Sequence, residues 1–373
     1  MGFRCGCLSL ADPPVLADAL SARLPAAARR RGKGDARRIA EKGRTVKKIA
    51  FALALFLLGA FPVLAAPPGG AAALWTAEAL RGTPHDLERR PNREPRPSVP
   101  PVPRALLAPL PEAEDGVIRR VRVDPERKVA AVSFDLCELE THSNGYDYRI
   151  VDFLRREGIP ATFFMGGKWM HSHPERAMQV MACPFFEIGN HAWSHGNFAL
   201  MEETMARGQV LRTQAQYEIL RDELAARAAS AGLEAAFANT IPRSMTLFRL
   251  PYGRSSARAL RLLGLLGLRI VQWDVVAERL PGDSADPRVA EECAAQVRPG
   301  SILLFHANGV PLNSHLLLER VVRLLRAKGY TFVTVSELLD MGQAETVKDG
   351  YFTTPGDNLE LDAKFGLYGT GVE

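Results

Sequence analysis

Apolar residues follow two patterns between about residues 127 and 341. Short unbroken apolar runs predict buried strands, and apolar residues spaced three or four apart predict amphipathic helices. The predicted helices cover residues 148–157, 174–182, 209–230, 257–266, 287–296 and 316–327. The predicted strands are VAAVSF (129–134), ATFFM (161–165), FFEIGN (185–190), LFRL (247–250), RIVQW (269–273), SILLF (301–305) and TFVTV (331–335). This alternation predicts an α/β fold with a parallel sheet, either doubly wound or closed as a barrel.

Five of the predicted strands carry a polar or ionisable residue at their carboxyl end. These residues are Asp135, Asn190 with His191, Arg249, Asp274 and His306. The carboxyl ends of parallel strands meet at one edge of an α/β fold, and active sites lie at that edge. We therefore expect these side chains to converge, although they span residues 135 to 306.

Two histidines, His191 and His195, lie four residues apart in the stretch EIGNHAWSHGN. On a short helix or a curled loop, this spacing aims two imidazoles at one point. A catalytic zinc site uses about three protein ligands and keeps one position open for water. The pair therefore predicts a metal site that needs one more ligand, a carboxylate. The alternative interpretation is two surface histidines on a turn.

Residues 1–65 differ from the rest of the chain in composition. Residues 46–65 contain two lysines, an apolar run and the small-residue end Val63-Leu64-Ala65, which is the layout of a secretory signal peptide. A membrane anchor that is never cut is the alternative. Residues 1–45 are rich in Arg and Ala without apolar periodicity, and we interpret them as a non-native extension upstream of a start at Val46. The expected location is secreted or periplasmic, with membrane contact only through this leader.

Two further segments flank the periodic region, which we take as a domain over residues 119–341. Residues 66–118 are dense in proline and arginine and predict an extended, mobile linker. Residues 342–373 are polar and lack periodicity, so they predict a tail that lies on the surface or is disordered.

Charge and cysteine content narrow the function classes. Residues 1–65 hold 12 of the 47 Lys/Arg and 4 of the 42 Asp/Glu, so the remainder has 35 basic against 38 acidic residues. That balance removes the electrostatic case for nucleic-acid binding. Beyond the leader the cysteines are Cys137, Cys183 and Cys293, an odd number without metal-type spacing. A disulfide framework is not expected, although one pair among the three stays open.

The motifs SFD (133–135), NHAWSH (190–195), RLPYG (249–253), WD (273–274) and LLFH (303–306) occur in this order. The series resembles that of NodB-type polysaccharide deacetylases, carbohydrate esterase family four, over about Arg127–Met341. The resemblance implies a distorted (β/α) barrel with about seven parallel strands. It also implies metal-assisted removal of acetyl groups from an N-acetylated sugar polymer or oligosaccharide.

The resemblance assigns catalytic roles to four residues. Asp135 corresponds to the general base that takes a proton from water, and Arg249 corresponds to the arginine that orients this base. His306 corresponds to the general acid that protonates the departing amine. Asp274 corresponds to the aspartate that pairs with His306 and raises its pKa.

The resemblance also assigns binding roles. His191 and His195 would hold the divalent metal, with zinc as the default for such donors. The turn at Tyr252 corresponds to the place where a backbone N–H meets the oxyanion. Trp273 and Leu304 would line the pocket for the acetyl methyl group.

The first motif departs from the family. Relatives usually have two adjacent aspartates, the second of which binds the metal, whereas this chain reads Asp135-Leu136-Cys137-Glu138. Leucine cannot bind a metal, so another group must complete the site. We favour Glu138, because a hard carboxylate suits the site that the family builds. Asp135 acting also as a ligand and a Cys137 thiolate are the alternatives, and His142 is a weaker fourth candidate.

Two other function classes remain open at this point. A sugar-binding barrel that has lost catalysis would tolerate the missing second aspartate. An amidohydrolase of the same fold could act on a small cyclic or linear amide. The expected partner is an acetylated glycan, and chitin fragments, peptidoglycan and exopolysaccharides all fit.

Overall fold

The computed structural model describes residues 70–91, 98–111, 116–279, 284–357 and 359–368. The predictions for residues 1–45 and 46–65 lie outside these ranges. The strands in this part are β1 (Arg90–Pro91), β2 (Val117–Arg122), β3 (Val129–Leu136), β4 (His142–Ser143), β5 (Ala161–Met165), β6 (Phe186–Asn190), β7 (Leu247–Phe248), β8 (Arg269–Val271), β9 (Val275–Val276), β10 (Ile302–His306), β11 (Thr331–Val333) and β12 (Gln343–Val347).

The helices lie between the strands and at the ends of the described chain. They are α1 (Ala77–Leu80), α2 (Tyr148–Glu157), α3 (Gly167–Ser172), α4 (Pro174–Met181), α5 (Glu203–Ser230), α6 (Glu234–Thr240), α7 (Ala257–Leu265), α8 (Pro287–Gln296), α9 (Ser314–Ala327), α10 (Val335–Leu339) and α11 (Leu359–Phe365). Short 3-10 helices occupy Gly70–Leu74, Pro84–Leu87 and Pro251–Gly253. Among the helices described here, none is both long enough and apolar enough to span a membrane.

The main sheet runs in the order β12-β2-β8-β7-β6-β5-β3-β10-β9. Its pairings are parallel except that of β12 with β2, which is antiparallel. The Val121 amide of β2 also donates to the Gly300 carbonyl just before β10, at 3.0 Å, and Arg120 forms a bridge with Ser301. These contacts bring distant strands of the sheet together and curl it, which confirms the predicted distorted (β/α) barrel. The sheet also differs from the prediction: β2, β9 and β12 are additional strands, and β11 pairs with the start of β3 outside the main strand order.

The register of the sheet brings the motif residues to one end of the barrel. β3 is buried along its whole length, which explains why VAAVSF lacks polar alternation. In its parallel pairing with β10, Phe134 lies opposite Phe305 and Asp135 lies opposite His306. Residues 171 positions apart in sequence are therefore neighbours at the carboxyl ends of adjacent strands.

The segment predicted as a mobile linker is partly packed onto the barrel. Trp75 and Leu80 are buried in the main hydrophobic cluster. Further along, the Arg104 and Ala105 amides donate to the buried Glu218 carboxylate at 2.8 and 3.0 Å. Within residues 70–91 and 98–111, apolar anchors and a buried acceptor hold the backbone against the domain, so an extended, mobile description is wrong for these stretches.

The segment predicted as a polar tail is also tied into the fold. β12 pairs with β2, and the Phe352 ring packs against Trp273 with 5.3 Å between ring centroids. Asp362 accepts hydrogen bonds from Asn197 Nδ2 and from the Arg254 guanidinium, both at 2.6 Å. Residues 343–357 and 359–368 therefore contribute a strand, a helix and buried contacts, which sequence periodicity did not predict.

Replacing Asp362 with asparagine tests this attachment. The carboxylate is only 15% exposed and joins the loop after His195 to the loop after Tyr252. Loss of charge-assisted hydrogen bonds is expected to lower the free energy of unfolding by about 1–3 kcal/mol. Denaturant unfolding should detect this, with Asp349→Asn, an exposed acid of the same segment, as the matched control. Equal midpoints for both variants would contradict the proposed attachment.

Candidate active site

Asp135 and Arg249 form a buried ion pair at the carboxyl ends of β3 and β7. Arg249 Nη1 donates to Asp135 Oδ1 at 2.9 Å, and Arg249 Nη2 donates to the Ser133 hydroxyl at 2.8 Å. Arg249 is fully buried and the Asp135 side chain is 5% exposed. Burial raises the pKa of Asp135, but the electrostatic effects of the His191 ring and of the Arg249 cation outweigh it and lower the pKa below its usual value. The pair thus holds an ionised carboxylate in one orientation.

His191 and His195 meet as the spacing predicted. Asn190 Oδ1 accepts the Ala192 amide at 3.0 Å and stabilises the turn that follows β6. His195 has a left-handed backbone with φ of 56°, which returns its ring to His191 at a centroid distance of 4.9 Å. The two imidazoles therefore lie together, and the interpretation as surface histidines on a turn is wrong.

The hydrogen bond of His191 leaves one ring nitrogen directed into the site. Its Nδ1 lies 2.9 Å from the Arg249 carbonyl, which can only accept, so Nδ1 carries the proton. Its buried Nε2 makes no hydrogen bond and lies 3.4 Å from Asp135 Oδ2. Burial lowers the pKa of both His191 and His195 and keeps them neutral, the form that binds metal.

A third donor lies beside the two histidines. The ligand atoms of Cys137, His191 and His195 are all within 4.8 Å of one another, and this is the group of metal-binding type in the described residues. Cys137 is buried and its Sγ accepts Asn308 Nδ2 at 3.3 Å. Its thiol, like those of Cys183 and Cys293, is not in a disulfide. Two imidazoles and a thiol, of which His191 and Cys137 are buried and His195 is half-buried, fit a divalent metal, and the unsatisfied His191 nitrogen is directed at the same point.

Glu138 does not join this group, contrary to our prediction. Its carboxylate accepts Lys168 Nζ at 3.1 Å, the Ser172 hydroxyl at 2.8 Å and the Asn144 amide at 3.1 Å. Burial raises the pKa of Glu138 to about 7 against the effect of Lys168. These contacts hold the Glu138 carboxylate, whereas Cys137 Sγ lies with the ligand atoms of His191 and His195. His142 is also outside the group, since its Nδ1 contacts the Thr141 hydroxyl at 2.8 Å.

His306 is held by Glu278 and not by Asp274, which corrects the sequence prediction. His306 Nδ1 lies 2.6 Å from Glu278 Oε2, and the His306 amide donates to Glu278 Oε1 at 3.0 Å. Ser314 also donates to Glu278. Burial lowers the pKa of His306, but the Glu278 carboxylate outweighs burial and the pKa is raised.

The register of β9 explains why Glu278, and not Asp274, contacts His306. In this two-residue strand Val275 pairs with Leu303 and Val276 with Leu304. Asp274 therefore lies at the start of β10, where it accepts the Ile302 amide at 2.8 Å and the Ser301 hydroxyl at 2.9 Å. Glu278, four residues later, reaches the other end of β10. The sequence WDVVAE contains both acids, but choosing between them needs this pairing, which no apolar pattern predicted.

Comparison with known proteins shows what this chain is similar to. Residues 122–271 match the family model described as polysaccharide deacetylase. Residues 122–271 are therefore similar to the polysaccharide deacetylase family. The chain is 29% identical over 192 residues to a peptidoglycan-N-acetylglucosamine deacetylase of Bacillus cereus, covering 51% of this chain and 62% of the relative. It is also 29% identical over 165 residues to a chitooligosaccharide deacetylase of a Bradyrhizobium species, covering 43% and 64%. The chain thus spans less than two thirds of these two relatives.

The solved structure described next is similar to this chain only at a TM-score below 0.5. A solved carbohydrate esterase family 4 pseudoenzyme from Bacillus anthracis aligns with 62% of this chain and 72% of its own chain, at 20% identity and a TM-score of 0.47. The assignment of this domain to the barrel fold therefore depends on its own strand order and pairing.

Of the remaining predicted site residues, one lies beside the histidine pair and two lie in the hydrophobic core. Tyr252 has a left-handed backbone with φ of 57°, and its ring packs on His195 with 4.4 Å between centroids. Trp273 donates its indole N–H to the Phe352 carbonyl at 2.9 Å. Trp273 and Leu304 both belong to the hydrophobic cluster inside the barrel. Tyr252 is thus at the histidine pair, whereas Trp273 and Leu304 lie among core residues, and a role in binding the acetyl group stays a prediction.

Proposed function

We propose that this protein hydrolyses the N-acetyl groups of an acetylated glycan outside the cytoplasm. The observation that carries the proposal is the juxtaposition of a base and an acid beside two histidines. Asp135, held ionised by Arg249, pairs in register with His306, held by Glu278. Binding a sugar alone needs neither an ionised carboxylate nor a histidine with a raised pKa, so this pairing favours hydrolysis.

The metal would be held by His191, His195 and a third donor at the end of β3, and zinc is the proposed ion. Such an ion lowers the pKa of a bound water and polarises the acetyl carbonyl. Burial lowers the pKa of both histidines and so favours the neutral imidazole that a metal ligand must be. The buried Nε2 of His191 provides an open donor for this role.

The protein's own residues would move two protons. Asp135 accepts a proton from the water whose oxygen attacks the acetyl carbonyl carbon, and Arg249 keeps that carboxylate ionised and oriented. Glu278 fixes the proton of His306 on Nδ1, so Nε2–H of the imidazolium donates to the amine nitrogen as the C–N bond breaks. Acetate and a free amino sugar leave. The turn at Tyr252 is the proposed source of the backbone donor to the oxyanion.

Location and substrate class are proposed from the leader and the relatives. The predicted signal peptide over residues 46–65 would export the chain. One relative is named for peptidoglycan and another for chitooligosaccharides, both of which carry N-acetylglucosamine. We therefore assign the substrate to N-acetylated glycans of the cell envelope or its surroundings.

Acetate release by the metal-loaded protein tests the proposal. The panel contains chitooligosaccharides, peptidoglycan, an acetylated exopolysaccharide and small cyclic and linear amides, with Asp135→Asn as the inactive control. Acetate released from a glycan by the parent alone is the expected result. Turnover only of small amides would move the function to the amidohydrolase class, and glycan binding without acetate release would favour the sugar-binding barrel.

Neutralising each of the two acids near β10 in turn tests the assignment of Glu278 as the partner of His306. The general acid must be protonated, so activity is lost as pH rises through the pKa of His306, which Glu278 raises. Glu278→Gln should move the alkaline limb of the kcat profile to lower pH and reduce the rate there at least about tenfold. Asp274→Asn is the matched control and should leave that limb in place. A shift in Asp274→Asn alone would restore the partner predicted from sequence.

A further inference from the structure

The geometry points to a thiolate-containing metal centre in which Cys137, His191 and His195 are the three protein ligands. The inference rests on the proposed function, because it names the third ligand of the same site. It assigns the position to a soft sulfur donor, where the sequence resemblance implied a carboxylate. The ion that fits is a zinc-class divalent cation, since thiolate ligands favour zinc and carboxylates suit magnesium, calcium and manganese.

The path of the chain after β3 brings the Cys137 side chain to the histidines. β3 ends at Leu136, and Cys137 follows directly after it with its Sγ beside the ligand atoms of His191 and His195. The three ligand atoms lie within 4.8 Å of one another, a separation that a small inward movement of side chains can close around one ion. Cys137 is 7% exposed and His191 is fully buried.

A buried nitrogen without a hydrogen-bond partner supports metal binding at this point. The buried Nε2 of His191 has no hydrogen bond, and leaving such a group without a partner destabilises the folded protein. A metal ion would satisfy this nitrogen. It would also replace the Cys137 thiol proton, which passes to solvent as the metal–sulfur bond forms.

Groups around the donors already hold them in the required orientation. The Arg249 carbonyl fixes the proton of His191 on Nδ1, the usual outer contact of a histidine ligand. Asn308 Nδ2 donates to Cys137 Sγ and to the Cys137 carbonyl, both at 3.3 Å. An N–H donor directed at sulfur stabilises the thiolate that a metal requires.

Asp135 is the competing third donor. Its Oδ2 lies 3.4 Å from His191 Nε2, so it is near the same point. Its Oδ1, however, accepts Arg249 Nη1 at 2.9 Å, and the ion pair holds the carboxylate in the orientation proposed for the base. The two assignments predict different spectra, because only a thiolate gives a charge-transfer band with cobalt.

The test is a cobalt titration of the metal-free protein followed in the near ultraviolet. We expect a thiolate-to-cobalt charge-transfer band in the parent and its loss in Cys137→Ser, with metal affinity lowered at least about tenfold. Cys183→Ser is the matched control, because this buried cysteine lies outside the metal group, and it should keep both band and affinity. Absence of the band in the parent, its persistence in Cys137→Ser, or loss of affinity only in Asp135→Asn would overturn the assignment.

A measurement on the unmodified protein avoids any folding defect of the variant. Zinc should slow alkylation of Cys137 by a small thiol reagent, whereas Cys183 and Cys293 should react at the same rates with and without zinc. Equal rates at Cys137 would count against the thiolate ligand. A cobalt band without acetate release from any glycan would keep the metal centre and reject the proposed function, so the two can fail separately.

Discussion

His306→Ala should lower kcat about 10²–10⁴-fold while metal content stays at the parent level. His306 lies beside Asp135 in the β3–β10 register but does not belong to the Cys137, His191 and His195 group. Its removal takes away the proton donor for the amine and leaves the three proposed ligands in place. Because the acid acts in the transition state, KM should change far less than kcat.

Steady-state kinetics and metal analysis of the same preparation check this result. His142→Ala is the matched control, because its ring hydrogen bond is to the neighbouring Thr141 hydroxyl, and it should retain parent kinetics. A His306→Ala variant that loses metal together with activity would place His306 among the ligands. A variant with parent kcat would remove the acid from the mechanism.

Arg249→Met should lower the free energy of unfolding by about 3–5 kcal/mol and abolish activity. Arg249 is fully buried and donates to Asp135, the Ser133 hydroxyl and the Val271 and Gln272 carbonyls. Its guanidinium also lies 4.0 Å from the centroid of the Phe164 ring. Removing the cation leaves a buried carboxylate and several acceptors without their donor, so the loss is much larger than for a surface ion pair.

Denaturant unfolding of a double-mutant cycle separates the charge from the packing. Asp135→Asn in the Arg249→Met background removes the unpaired carboxylate and should recover part of the lost stability. Arg258→Met is the matched control, because its pair with Glu202 is exposed and should contribute about 1 kcal/mol or less. Equal losses for Arg249→Met and Arg258→Met would contradict the buried-pair argument.

The prediction from sequence was accurate where the controlling interactions are local. α2 covers Tyr148–Glu157 as predicted, because Asp147 caps its first turn and Gly158 ends it in a left-handed conformation. The buried runs of β3, β5 and β10 were likewise visible as unbroken apolar segments. Because parallel strands share one carboxyl edge, the same patterns also predicted that Asp135, Arg249 and the histidine pair converge.

The partners of the site residues depended on tertiary structure. Glu278 replaces Asp274 beside His306 because a two-residue strand, too short for any periodic pattern, sets the register with β10. Glu138 does not join the histidines because its carboxylate pairs with Lys168, a buried cation thirty residues later in the chain. Apolar spacing determined the strands, their order of appearance and the end of the barrel that carries the chemistry. Strand register and buried charge pairing decided which side chains contact each other in the site. Both depend on residues far apart in the chain, so the tertiary structure was needed to find them.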